Sequence, residues 1–216
     1  MKIGIIGSGD VGRVLGTAFI KEGHEVMLGT RDINKEAVVK WVADNPSSQV
    51  GSFNAAATFG DIIVLATAGD ITEAVIVNAG IDHFDNKVVI DATNPISHTK
   101  APVNGVLQYF TTTDESLMEH LQKLVPEAKM VKAFNSVGNA FMYKPDFGGI
   151  KPTMFICGND DLAKKTVTDI LDAFGWETED MGQANAAGAI EALCILWCIP
   201  GFLRNNWMHA FKLLKK

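Results

Sequence analysis

The segment Gly7-Ser8-Gly9-Asp10-Val11-Gly12 spaces its glycines as a backbone must if it is to wrap a phosphate group. It follows a short apolar run, Lys2 to Ile6, and opens a stretch in which Val11, Val14, Leu15, Ala18 and Phe19 fall on one helical face. In a strand, turn and helix of this kind each glycine has its own task. Gly7 permits the tight turn, Gly9 leaves the amides at the helix N-terminus open to a diphosphate, and Gly12 lets helix and strand approach closely. Ser8, Asp10 and Val11 complete the candidate loop; the carboxylate of Asp10 works against an anion, but the positive helix end tolerates it and its side chain can cap the helix.

A second apolar run ends in Leu28-Gly29-Thr30-Arg31-Asp32. A site selective for NAD places a carboxylate there to accept hydrogen bonds from the ribose 2′-hydroxyl, whereas this chain presents Arg31. A guanidinium can grip a 2′-phosphate in bidentate fashion, the Thr30 hydroxyl can donate to it, and Lys35 lies near enough to add a second charge. NADP(H) is the cofactor these residues predict. The crevice of an open parallel sheet lies beyond the carboxyl ends of its strands, and the three clusters that follow the fourth, fifth and sixth apolar runs are small or polar. They are Thr67-Ala68-Gly69, Thr93-Asn94-Pro95 and Asn135-Ser136-Val137-Gly138, so Thr67, Ala68, Asn94, Pro95 and Asn135 join the candidate cofactor-binding residues.

None of those strand ends supplies a His, a Tyr-x-x-x-Lys or an Asp-His pair, one of which a dehydrogenase of alcohols needs as general acid. His98, in the loop after Pro95, reads as solvated. A flavin or deazaflavin accepts a hydride without such a group, because its own ring nitrogens accommodate the electrons. No catalytic residue is assigned: the chemistry predicted is hydride transfer by positioning, with the donor carbon held about 3 to 3.5 Å from the acceptor atom. Two other classes stay open, a redox sensor that binds NADP(H) without turnover and a small-molecule dehydrogenase. The latter needs a larger helical substrate domain and a catalytic Lys or Glu.

The elements that must position these residues alternate along the chain, short apolar runs with helical patterns, as in a parallel sheet covered on both faces. Strands are predicted at Lys2 to Ile6, His24 to Leu28, Gln49 to Phe53, Asp61 to Ala66, Lys87 to Asp91, Lys129 to Phe134, Thr153 to Cys157 and Trp176 to Asp180. The fold class is α/β, a Rossmann-type doubly wound and mainly parallel sheet of about eight strands with a C-terminal helical segment. Residues 1–182 form the NADP-binding domain and 183–216 a helical segment packed on it. A loop from Ile96 to Thr111 interrupts the alternation, and a capping box at Thr112-Thr113-Asp114-Glu115 predicts a helix start near Thr112. The apolar stretch Ala186 to Leu203 approaches membrane-spanning length but carries Glu191 and Pro200-Gly201; it reads as a buried helix broken at Pro200-Gly201, with no membrane insertion.

Composition narrows the partners. The 216 residues are 47% hydrophobic and carry a formal charge of −6, with arginine only at positions 13, 31 and 204, which excludes a nucleic-acid partner. Cys157, Cys194 and Cys198 show no framework or metal-ligand spacing, and Cys194 and Cys198 read as core packing; no metal is predicted. The N-terminus offers no signal-peptide core, so a cytoplasmic protein is expected. Its partner would be a small-molecule electron acceptor, and the apolar C-terminal helix would cover that acceptor or form a homodimer seam.

The glycine loop with Arg13, together with Gly29-Thr30-Arg31, Asn94-Pro95, Val131-Lys132-Ala133-Phe134-Asn135, Cys157-Gly158-Asn159-Asp160 and Asp180-Met181-Gly182, resembles the NADP oxidoreductases dependent on coenzyme F420. The same motifs resemble still more closely the cytoplasmic reductase domain of the six-transmembrane ferric reductases. The resemblance runs from the first strand to about Glu191. It implies NADPH held by residues 7–11 with Thr30, Arg31 and Lys35, facing an isoalloxazine or deazaflavin ring. Asn135 matches the ferric reductases at a position where some deazaflavin enzymes carry His, which implies a flavin.

Overall fold

The computed structural model describes residues 1–216. Eight strands alternate with helices in the order β1 (Lys2–Ile6), α1 (Asp10–Lys21), β2 (Glu25–Gly29), α2 (Glu36–Asp44), β3 (Gln49–Gly51), α3 (Phe53–Phe59), β4 (Ile62–Leu65), α4 (Gly69–Ala79) and β5 (Val88–Asp91). After the long loop come α5 (Leu117–Leu124), β6 (Lys129–Lys132), β7 (Thr153–Gly158), α6 (Asp161–Ala173), β8 (Glu177–Asp180) and α7 (Ala187–Arg204). The strands form one sheet in the order β3-β2-β1-β4-β5-β6-β7-β8, parallel throughout except between β6 and β7, where Lys132 pairs with Cys157. All eight predicted strands are present, each within two residues of its predicted ends.

Alternation along β1 sends Ile3 and Ile5 to one face, where they pack with Leu15 and Phe19 of α1, Trp41 of α2 and Val167 of α6. Ile6 turns to the other face with Phe53, Ile76 and Leu121 of α3, α4 and α5 and with Ala187 and Ile190 of α7. Two buried clusters of 27 and 21 residues thus sandwich the sheet, which is the doubly wound arrangement. The order of strands reverses between β1 and β4. The loop after β1 and the loops after β4 and β5 therefore part to opposite sides and leave a crevice at the carboxyl edge.

Three details depart from the sequence reading. Helix α5 starts at Leu117 rather than near Thr112: the capping box that forms is Ser116 with Glu119, and residues 112–116 stay irregular. Close packing explains the delay, because the backbone of Thr113 lies against Gly188 of α7, where any side chain would strike it. Pro200-Gly201 does not break α7, which runs on to Arg204 and ends at Asn205 in the left-handed conformation (φ 51°). Gly201 sits directly beneath the Trp207 ring, so the returning chain packs onto the helix end and holds it together.

Residues 205–216, finally, are not helical. They come back along β7 and β8, with the Thr153 amide donating to the Phe211 carbonyl (2.8 Å) and Lys212 paired to Glu177 (2.7 Å). Helix plus lead-in, Ala184 to Arg204, is long and apolar enough to cross a membrane, and 44% of its apolar window is buried in the fold.

Candidate functional site

Gly7 (φ 125°) turns the chain out of β1, and a side chain there would collide with the Ala66 carbonyl at the end of β4. Gly12 lies against the Gly7 carbonyl, so α1 can only approach β1 this closely without a Cβ. Gly9, by contrast, has no heavy atom within 4 Å of where a Cβ would stand. The N-terminus of α1 therefore opens on free space just where the sequence places a diphosphate. Asp10 does not cap the helix. Its carboxylate is paired with Arg13, which also donates to the Ser8 carbonyl (2.6 Å), so the charge that would repel a phosphate is neutralised within the loop. Val11 is half-buried against the core and fixes the first turn rather than lining the cleft.

The glycine loop and the end of β2 are tied together. The Gly7 amide donates to the Gly29 carbonyl (3.2 Å), and the Ser8 and Thr30 hydroxyls are 2.9 Å apart. Thr30 is buried, and its Oγ1 also accepts from the Asp32 amide (3.3 Å), so its hydroxyl is largely committed to the turn. Arg31 and Lys35 are exposed on the lip and neither forms an ion pair; Asp32 instead accepts from the Asn34 amide (2.9 Å). A cleft of about 230 Å³ is lined by Gly7, Ser8, Gly9, Thr30, Arg31 and Lys35 on one side and by Thr67 and Ala68 on the other. Asp32, Phe53, Ala66 and Ile71 also line it, and the motif alone did not mark them. Its only cations are the two at the end of β2.

Next to Ala68 lie the ends of β5 and β6. Gly69 packs against the Asn94 carbonyl so tightly that a side chain there would clash, which brings the β4 and β5 ends into contact. Asn94 Nδ2 donates to the Asn135 carbonyl (2.8 Å), while Asn135 Nδ2 donates to Asn94 Oδ1 (3.2 Å) and to the Ile190 carbonyl of α7 (2.9 Å). The Ile190 carbonyl can only accept, which fixes the Asn135 amide and leaves its Oδ1 buried with no donor. Such an orphan acceptor costs about 1 to 3 kcal/mol. Phe134, immediately before it, adopts φ 63°, a left-handed conformation that costs a bulky residue about 1 to 3 kcal/mol. Two unfavourable terms thus fall on adjacent residues at the crevice, the pattern of a backbone held for function.

Beneath this pair lies a charge cluster the sequence reading did not connect. Lys132 Nζ is 2.9 Å from Asp91 Oδ2, 2.8 Å from Glu191 Oε1 and 2.8 Å from the Thr93 carbonyl, and none of the three ionic side chains is more than 2% exposed. Glu191 also accepts from the amides of Leu117 and Met118 (3.1 Å each) at the N-terminus of α5, whose dipole offsets the surplus negative charge. Burial alone would depress the Lys132 ammonium, but Asp91 and Glu191 outweigh it and hold the ammonium above the ordinary lysine range. His98 is exposed, as its loop position predicts, with its Nε2 3.3 Å from Asp70 at the start of α4.

The predicted residues therefore separate into groups. Gly7, Ser8, Gly9, Thr30, Arg31, Lys35, Thr67 and Ala68 share the cleft. Asn94 and Asn135 are bonded to each other at the ends of β5 and β6 and are not part of that lining, Asn135 being buried. Pro95 is buried behind Asn94, and Thr67 turns its hydroxyl to Thr72 (2.8 Å) rather than into free space. Cys194 and Cys198 are free thiols on α7. That helix, which the sequence reading names as a cover for the acceptor or a dimer seam, exposes Leu196, Phe202 and Leu203 by about half.

The family model described as NADP oxidoreductase, coenzyme F420-dependent, matches residues 2–95. Rat metalloreductase STEAP3 is 28% identical over 215 residues, 97% of this chain; the chain spans 40% of that protein's length. The F420-dependent NADP reductase of Methanocaldococcus jannaschii is 27% identical over 203 residues, 89% of each chain. A solved structure of a putative F420-dependent NADP reductase from Arthrobacter superposes over the whole of both chains with a TM-score of 0.92 at 28% identity.

Proposed function

We propose an activity on the premise of this kinship: the chain is a relative of the coenzyme F420-dependent NADP oxidoreductases, and we read it as an NADPH-binding oxidoreductase that passes a hydride to a flavin or deazaflavin ring. The observation that carries the reading is the cleft itself. It joins an obstacle-free helix N-terminus at Gly9 to two uncommitted cations, Arg31 and Lys35, at the point where a 2′-phosphate would lie. When bound, NADPH supplies the hydride. Ser8 and Gly9 would hold the diphosphate through their backbone, Arg31 and Lys35 the 2′-phosphate, and Ala68, Asn94 and Asn135 would border the nicotinamide.

The strand ends beside Ala68 offer the amides of Asn94 and Asn135 and the alanine itself, which suits transfer between two rings that need no proton from the protein at the reacting carbon. The residues there position the rings and exclude water. We place the reaction in the cytoplasm with a small-molecule acceptor. The test is steady-state oxidation of NADPH with a panel of acceptors: FMN, FAD and the deazaflavin on one side, keto acids and cyclic imines on the other. Turnover confined to the first group supports the reading. Turnover confined to the second supports a small-molecule reductase, and NADPH binding without any turnover supports a sensor.

A further inference from the structure

Helix α7 reaches the crevice through two consecutive residues. The Ile190 carbonyl takes the Asn135 amide, and the Glu191 carboxylate takes the Lys132 ammonium. Lys132 and Asn135 flank the left-handed turn at Phe134, so α7 grips β6 on both sides of the one strained residue at the site. Lys132 reaches further, to Asp91 and to the Thr93 carbonyl, and Asp91 Oδ1 in turn accepts from the Thr93 amide (2.9 Å) and hydroxyl (2.6 Å). The residue after Thr93 is Asn94, the hydrogen-bond partner of Asn135. A single buried cation therefore ties together the ends of β5 and β6 and the C-terminal helix.

General stability does not account for the arrangement. Two carboxylates and one ammonium taken fully out of water stabilise a fold little, and well-packed apolar side chains of the same volume usually do as well or better. What such a cluster supplies is a fixed geometry, and the geometry fixed here is an unfavourable one: Phe134 left-handed and Asn135 Oδ1 without a donor. Local strain persists only where the surroundings over-determine it.

We infer that Lys132 and Glu191 are positioning residues for the nicotinamide end of the cleft: their buried ion pair between β6 and α7 holds the Asn94–Asn135 pair in the geometry that receives the ring. The inference rests on the proposed NADPH site and assigns its specificity for the reactive half of the dinucleotide to a helix that acts through Asn135 and Lys132 without lining the cleft. The diphosphate and 2′-phosphate contacts at Gly9, Arg31 and Lys35 lie at the opposite end and do not depend on the pair.

That separation gives the experiment. Glu191→Gln keeps the shape and removes the charge. The triple variant Asp91→Asn/Lys132→Met/Glu191→Leu removes all three buried charges together, leaving none unpaired, and guards against simple misfolding of the first; circular dichroism and a cooperative melt confirm the fold of each. Calorimetry then compares NADPH with 2′-phospho-ADP-ribose, which lacks the nicotinamide. The expected result is 2′-phospho-ADP-ribose affinity within about twofold of wild type and NADPH affinity lowered about tenfold or more, with hydride transfer lowered further, because a displacement of about 1 Å in a positioning shell costs up to about a hundredfold. Equal losses for both ligands, or no loss for either, would overturn the positioning role while leaving the nucleotide site intact. A wild-type protein that binds NADPH no better than 2′-phospho-ADP-ribose would overturn both the inference and the placement of the nicotinamide on which it rests.

Discussion

Replacing Arg31 by alanine isolates the feature that separates the two nicotinamide cofactors. In the free protein the guanidinium has no carboxylate to abandon, because Asp32 is committed to the Asn34 amide, so its bonds to a phosphate come without the loss of an earlier pair. Thr30 cannot compensate, since its hydroxyl is already shared between Ser8 and the Asp32 backbone. Charge-assisted hydrogen bonds contribute about 1.5 to 3 kcal/mol, and the exposure of Arg31 on the lip, with screening by salt, puts this one near the low end. Arg31→Ala should therefore weaken NADPH about tenfold and leave NADH unchanged. Lys35→Ala should do less, because a flexible exposed ammonium makes a single screened contact. Calorimetric titration of both cofactors at two salt concentrations reads the effect, with the NADPH preference of wild type shrinking at high salt. Equal affinity of wild type for NADPH and NADH, or a variant that loses both alike, would refute the reasoning.

Gly9→Val should abolish NADPH binding with an unchanged circular dichroism spectrum, because the side chain enters open space that only the ligand would fill; retained binding would remove Gly9 from the phosphate site. Gly12→Ala should do the reverse and act on the fold. Its Cβ would strike the Gly7 carbonyl, and urea denaturation should show a loss of about 2 kcal/mol or more. Lys132 should give the fold a distinctive alkaline limit. Its ammonium is raised in the native state, so its contribution is complete below about pH 10.4, the unfolded lysine value, and is lost as pH climbs through the higher native value. The stability gap between wild type and Lys132→Met should narrow above that pH, and parallel curves would contradict the pairing.

Most strands were legible because they are short apolar runs bounded by glycine or polar residues, though β3 (Gln49–Gly51) and β8 (Glu177–Asp180) are largely polar, and the glycine loop was legible because its flanking strand and helix give the spacing a meaning. The pairing of Lys132 with Glu191 was not, since 59 positions separate them along the chain. A signal existed in each half: a lysine inside the apolar Met130-Val131-Lys132-Ala133-Phe134 run and a glutamate inside an apolar helix are both charges that burial obliges to find a partner. The start of α5 was misplaced because Thr112 and Ser116 both begin plausible capping boxes, and only the approach of Gly188 to Thr113 decides between them. The C-terminal tail reads as helical only as a continuation of the apolar helical pattern before it; its own residues 205–216 are half polar. Its hydrogen bonds to Thr153 are long-range and leave no local trace. Asp70 and His98 likewise meet only because the loop after β5 folds back over α4.

The central claim is that a hydride passes directly from NADPH to a flavin-type ring in the crevice bordered by Ala68, Asn94 and Asn135. Ala68 is exposed at the start of α4, so a larger side chain there enters the crevice without disturbing the core. Anaerobic stopped-flow mixing of NADPH-loaded protein with FMN, FAD or the deazaflavin, in wild type and Ala68→Trp, measures the transfer step itself. The account predicts rapid bleaching of at least one acceptor by wild type. It also predicts a rate at least about tenfold lower in the variant, whose NADPH affinity changes far less. Failure of the wild type to reduce any of the three, or an undiminished rate in Ala68→Trp, would contradict it.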